Sequence, residues 1–160
     1  MGRTIWRSPP WHIRRTGFPE AWRLLRLRRA RRTPVEIGLL DSGVDLKHPY
    51  LRDLLGPGIN LLSPGEPPHD EHGHGTHVAG ILAVASGAVA GQRPIWPPPI
   101  RIRPVKIFDR QGFGRIRDIV AGLNWCMAQG CEIINLSFGT DRRASDQLAE
   151  AVRTMEKNGI

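Results

Sequence analysis

The chain has 160 residues, 40% hydrophobic and 24% charged, with a net charge of +8. That is the make-up of a soluble globular domain with material for one core. No apolar run approaches the roughly 18 residues of a membrane span, and the basic opening MGRTIWRSPPWHIRRTG lacks the apolar centre of a secretory signal, so a cytoplasmic location is expected.

The basicity belongs to the head. Residues 1–32 hold ten arginines and one acid, Glu20, whereas the remainder is close to balanced. Residues 1–17 are assigned to a basic N-terminal extension and 18–160 to the domain. EAWRLLRLRRARR predicts a basic helix with Trp22, Leu24, Leu25 and Leu27 as its apolar side. Such a helix suits an acidic membrane or nucleic acid, and equally a solvated surface.

VEIGLL, Val35 to Leu40, is short, apolar and bounded by Pro34 and Asp41, which predicts a buried strand. DSGVD follows as a turn, and residues 56–68, rich in Gly and Pro, as a loop. HVAGILAVASG predicts a helix buried nearly all round, and GQRPIWPPP a rigid loop. IRIRPVKIF predicts a second strand, weakened in its first half by Pro104. Ile116, Ile119, Val120, Leu123 and Met127 recur at helical spacing, with Gly130 where a terminating glycine belongs. EIINLS predicts a third strand. The last helix carries Leu148, Val152 and Met155 on one face and ends at Asn158–Gly159. Strand and helix alternate, so the expected architecture is α/β with a parallel sheet. Functional residues then gather at the carboxyl ends of the strands, where Asp41 and Ser137 stand. Cys126 and Cys131 are five apart, which fits neither a CxxC redox pair nor a zinc knuckle, and both are expected to be reduced thiols.

DEHGHGTHVAG, Asp70 to Gly80, carries three histidines among glycines. Metal ligation by His72, His74, His77 or Asp70 is disfavoured, because no HExxH is present and the glycines make a flexible cradle. A histidine at the first turn of a buried helix is held rigidly, and the glycines would let a substrate backbone approach it. A carboxylate at a strand end, Asp41, is suited to hold one imidazole nitrogen and fix the tautomer.

IGLLDSGVDLKHP and HGHGTHVAGILA resemble the aspartate and histidine motifs of the subtilisin-like serine proteases, the subtilases. The resemblance continues through RPVKIFDRQGFGRIRDIVAGLNWCMAQGCEIINLSFG and covers about Phe18 to Ile160. It implies a subtilisin-like α/β fold, a parallel sheet with helices on both faces, incomplete at the C-terminus. It implies serine endopeptidase chemistry, with Asp41 orienting the imidazole, His74 as general base and His77 packed behind as a structural residue. Gly112, Phe113 and Gly114 would offer one strand edge to an extended peptide, and Ser137, Phe138 and Gly139 the opposite edge. Phe138 suits a side-chain pocket or simply the core.

The family's nucleophile stands in a GTSMA-like motif and its amide donor in a GN motif, and neither occurs in these 160 residues. The chain is therefore expected to be the first part of such a domain, inactive alone and completed by a C-terminal half. No cofactor is expected. Tyr50 stands where the family often has an acidic calcium ligand, and the 86–99 loop is altered. The expected partners are a protein or peptide substrate and a complementing half, with nucleic acid or acidic membrane suggested only weakly by residues 1–32. Two other classes remain as alternatives: a non-catalytic module for extended peptides, and an inactive fragment.

Overall fold

The computed structural model describes residues 11–27, 33–87, 100–139 and 145–160. Two short helices, α1 (Trp11–Arg15) and α2 (Phe18–Leu27), open it. They are followed by β1 (Val35–Asp41), a 3-10 turn at Arg52–Leu54 and β2 (Ile59–Asn60). Then come α3 (His74–Ala85), β3 (Ile100–Lys106), α4 (Ile116–Ala128), β4 (Ile133–Leu136) and α5 (Asp146–Lys157). The four strands pair in parallel in the order β2-β3-β1-β4. No helix among the described residues is long and apolar enough to cross a membrane.

β1 is apolar on both faces because both faces are covered. Ile37 and Leu39 pack with Ile100 and Ile102 of β3 under Val78, Ala79 and Ala83 of α3. Leu40 and Val105 face the other way, onto Ile119 and Leu123 of α4 and Ala151 and Met155 of α5. Each fully buried side chain of this size contributes about 1.5–3 kcal/mol over its exposed state. The helices thus lie on both faces of a parallel sheet, as expected.

The helix spacing at 116–127 gives α4, closed by Gly130 at φ 71°. Ser145, whose hydroxyl accepts from the Leu148 backbone N–H, caps α5. In α5 the buried stripe runs through Ala151 and Met155, and Val152 stays partly exposed. Pro104 sits inside β3 without loss. Backbone carbonyls of Ile102 and Lys106 turn toward the β2 side, to Gly56 and Leu61 N–H groups. Pro104 faces the same way, at a bulge: Leu55 pairs with Ile102 and Ile59 with Val105, so the β2 side carries one extra residue here and the regular ladder is interrupted where the proline lacks its N–H. α3 is buried on one face only, since Ile81 and His77 are exposed. The expectation that it is buried nearly all round does not hold, because the described chain covers only its sheet side. GQRPIWPPP lies outside the described residues. So do residues 1–10 and 28–32, on which much of the membrane or nucleic-acid expectation rests.

Candidate active site

Strand register brings the chemistry to one end of the sheet. Asp41 ends β1 opposite Lys106, which ends β3, and Leu40 pairs with Leu136, the last residue of β4. Asp41 is 1% exposed. Its Oδ1 accepts from the Ser42 backbone N–H at 2.7 Å and from His74 Nδ1 at 2.8 Å, with Oδ2 3.0 Å from the same nitrogen. A carboxylate offers no proton, so Nδ1–H donates and Nε2 is left with its lone pair. No hydrogen bond occupies Nε2 among the described residues, and the His74 side chain is 43% exposed. One ring nitrogen is held from inside and the other faces outward.

Three neighbours of this pair explain why α3 starts at His74. Asp70 gathers N–H groups from the approach to α3 and one from its first turn, which the helix cannot satisfy internally. Its Oδ1 accepts from His72 and Gly73 N–H, and its Oδ2 from Thr76 N–H and the Thr76 hydroxyl. Ser42 bridges the two motifs: its hydroxyl accepts from Gly75 N–H at 3.0 Å and donates to Asp70 Oδ1 at 2.8 Å. The Thr76 hydroxyl in turn accepts from Asp45 N–H. Partial burial works against the charge of Asp70, but these donors outweigh it, led by the Thr76 hydroxyl, and hold its carboxyl at about 2.

Lys106 completes the frame. It is buried, and its ammonium donates to the Ser42 carbonyl at 3.2 Å, the His69 carbonyl at 2.8 Å and Glu71 Oε2 at 2.9 Å. One cation therefore ties the turn after β1 to the loop before α3. The ammonium beside Glu71 holds that carboxyl below its ordinary value.

His77 is exposed, not packed behind His74, since it points away from the sheet on the uncovered side of α3. Gly75 faces inward, so its role is not substrate approach: a Cβ there would meet the Gly43 carbonyl oxygen and lie 3.2 Å from Asp41 Oδ1. Gly73 serves the turn into α3, at φ 99°. Gly112, at φ 81°, is exposed beside His72, whose ring lies edge-on to His74 at 6.3 Å. Phe113 is 74% exposed at the tip of a turn whose N–H groups, those of Gln111 and Phe113, donate to Asp109. Gly114 approaches the Ile107 carbonyl too closely for any side chain. Ser137 and Gly139 are exposed beyond β4, with the Ser137 hydroxyl 2.7 Å from Asn135 Nδ2. Phe138 is half-buried and T-shaped against Phe108 at 4.9 Å, so it belongs in part to the core. Tyr50 is half-exposed, its ring 6.0 Å from that of His48. A phenol is a poor ligand for a hard cation such as calcium, and residues 88–99 lie outside the described residues.

Comparison with known proteins settles the lineage. The model of the subtilase family matches residues 33–160. This chain belongs to the subtilase family. It is 38% identical over 106 residues to a thermophilic serine proteinase of Bacillus sp. (strain AK1), covering 66% of this chain and 26% of that protein. It is 33% identical over 158 residues to an alkaline protease of Shouchella clausii, covering 98% and 39%. Against subtilisin BL of Lederbergia lenta it is 34% identical over 154 residues, covering 96% and 53%. The chain thus spans from about a quarter to about half of these subtilases. The crystal structure of a cold-adapted subtilisin-like serine proteinase shares the fold, with TM-score 0.59 and 24% identity over 76% of this chain and 42% of that one.

Proposed function

We propose that this chain supplies the aspartate and histidine of an Asp–His–Ser triad that hydrolyses peptide bonds, with the serine and the amide donor for the oxyanion coming from a segment outside these 160 residues. The observation that carries the reading is the bond from His74 Nδ1 to buried Asp41, with Nε2 left outward. In that state Nε2 takes the proton of a serine hydroxyl as the oxygen attacks the peptide carbonyl, then returns it to the leaving amine. Asp41 keeps the ring in the tautomer that accepts at Nε2 and stabilises the imidazolium that forms.

Among the described residues, neither the serine beside the pair nor the one at the neighbouring strand end is placed to be that nucleophile. Ser42 is buried, with its hydroxyl between Gly75 and Asp70. Ser137 lies beyond β4, in the segment assigned to substrate. On this reading the chain alone is inactive. The exposed backbone at Gly112–Gly114 and Ser137–Gly139 takes an extended substrate as an added strand, through main-chain hydrogen bonds that demand little of its sequence.

The test is a chimera in which residues 33–160 replace the matching segment of the Lederbergia lenta relative. It is expected to cleave a chromogenic peptide, and His74→Ala to abolish cleavage. Asp41→Asn should lower kcat by about 10⁴, the loss known for that substitution in Asp–His–Ser proteases. A chimera that folds, by circular dichroism, and cleaves nothing overturns the reading. Peptide binding that persists in it, unaffected by Asp41→Ala and His74→Ala, would move the chain to the class of non-catalytic peptide binders.

A further inference from the structure

α4 ends in a particular turn. The Cys131 N–H donates to the Cys126 carbonyl at 3.0 Å and the Gly130 N–H to the Met127 carbonyl at 3.0 Å, with Gly130 at φ 71°. This is the Schellman pattern of helix ends, in which the residue three before the cap and the second residue after it come into side-chain contact. That contact is ordinarily between two apolar groups. Here both partners are thiols, Cys126 and Cys131, and both are buried. They close over Gly38 of β1, where a Cβ would meet the Cys126 sulfur and lie 3.4 Å from that of Cys131. The five-residue spacing that excluded a CxxC motif is thus the spacing at which this turn joins two side chains.

The two thiols are not equivalent. Cys131 stands in the wall of a cavity of about 570 Å³ that opens where β4 begins, shared with Val35, Met127, Gly130 and Ile133. Cys126 lies behind it, under Gly38. The neighbouring Cys126 thiol holds the Cys131 thiol below its ordinary value, burial opposing and the Arg103 charge assisting. The neighbouring Cys131 thiol, together with burial, pushes the Cys126 thiol up.

We propose that Cys126 and Cys131 are a redox pair, oxidised by a hydroperoxide to an intramolecular disulfide, with Cys131 attacked first and Cys126 resolving. In the first step the Cys131 thiolate attacks one peroxide oxygen. An S–O bond forms, the O–O bond breaks, and the departing oxygen takes a proton to leave as water or alcohol. In the second, Cys126 gives up its proton and attacks the Cys131 sulfur. The S–S bond forms, the S–O bond breaks, and hydroxide leaves with that proton as water. Each sulfur loses one electron and the peroxide gains two. The product staples the end of α4 to the start of β4, the strand that leads to Ser137.

The test is made on the folded 160-residue chain, reduced, freed of reductant and exposed to hydrogen peroxide. Intact mass should fall by about two units, neither cysteine should take up iodoacetamide in denaturant, and dithiothreitol should restore both. Peptide mapping should join Cys126 to Cys131 of the same chain. In Cys126→Ala, Cys131 should stop at the sulfenic acid and be captured by a 1,3-dione probe. In Cys131→Ala, Cys126 should react about tenfold more slowly or not at all. Two free thiols after exposure, or disulfides only between chains, overturn the pair. Equal capture at both sulfurs overturns the order of attack. The wild-type mass measurement decides the pairing even if neither variant folds.

Discussion

Gly75 packs on Gly43 so closely that a methyl group at position 75 would run into the Gly43 carbonyl oxygen, with Asp41 Oδ1 3.2 Å away. This contact seats the first turn of α3 on the end of β1 and puts His74 Nδ1 within 2.8 Å of Asp41. Gly75→Ala must therefore lift α3 or displace the turn after β1. The expected cost is on the order of 1–3 kcal/mol, as for overpacking in a close-packed interior. The protected Nδ1–H proton of His74 should vanish from the downfield NMR spectrum. A variant of unchanged stability that keeps this proton would show that Gly75 does not set the pair.

The charge of Asp70 should appear in acid. Its carboxyl is held at about 2, against 3.8 for the free group. A group depressed on folding stabilises the folded state above its unfolded value and loses that contribution as the pH falls through the folded one. Asp70 thus supports the fold fully above about 3.8 and progressively less toward about 2. Asp70→Asn removes the charge and one accepting oxygen from bonds to a charged group, and should cost on the order of 1–3 kcal/mol at neutral pH. Its urea midpoint should then fall less steeply than that of the wild type between about pH 4 and pH 2. Parallel curves for the two proteins would remove Asp70 from the acid response.

Lys106→Met keeps the length of the side chain and removes its donors. The Ser42 and His69 carbonyls each lose a bond. The expected loss of stability is on the order of 1–3 kcal/mol, read as a lower urea midpoint. Glu71 loses the ammonium that depresses it, so its carboxyl should titrate upward, toward its ordinary value. Glu71→Gln, at an exposed position, should leave the midpoint nearly unchanged. A larger loss in Glu71→Gln than in Lys106→Met would mean that the carbonyl contacts of Lys106 count for little.

Much of this geometry is legible from sequence for a physical reason. The continuous apolar run of β1, the helical period of α4 and the strand–helix alternation are local patterns that the packing enforces. The pairing of Asp41 with His74 across 33 positions is not local: the residue types at a strand end and a helix start suggest it, and the resemblance of two motifs makes it specific. β2, only two residues long, carries no pattern of its own and exists because β3 offers it an edge. Ser42, Thr76 and Lys106 carry no signal of their roles in the sequence, because their partners are backbone groups and carboxylates brought together only by the fold. Asp70 carries a visible signal, an aspartate just before a helix with a threonine inside its first turn, and that pattern belongs to a collector of N–H groups rather than to a metal ligand. The expectation that His77 packs inside rests on resemblance alone, and the described chain leaves its side of α3 uncovered.

Phe113 separates stability from recognition. Its side chain is 74% exposed at the tip of a turn fixed by Asp109 and the backbone. Removing it leaves those bonds in place, so Phe113→Ala should change stability by no more than about 0.5 kcal/mol. In the chimera that carries residues 33–160, the same change removes apolar surface beside the edge at Gly112–Gly114. If that edge takes the substrate strand, KM should rise severalfold with kcat nearly unchanged, the mark of an interaction made equally in ground and transition states. A fall in kcat at constant KM would instead place Phe113 against the reacting centre. No kinetic change at all would mean that the peptide runs elsewhere, and the assignment of Gly112, Phe113 and Gly114 to substrate would fall with it.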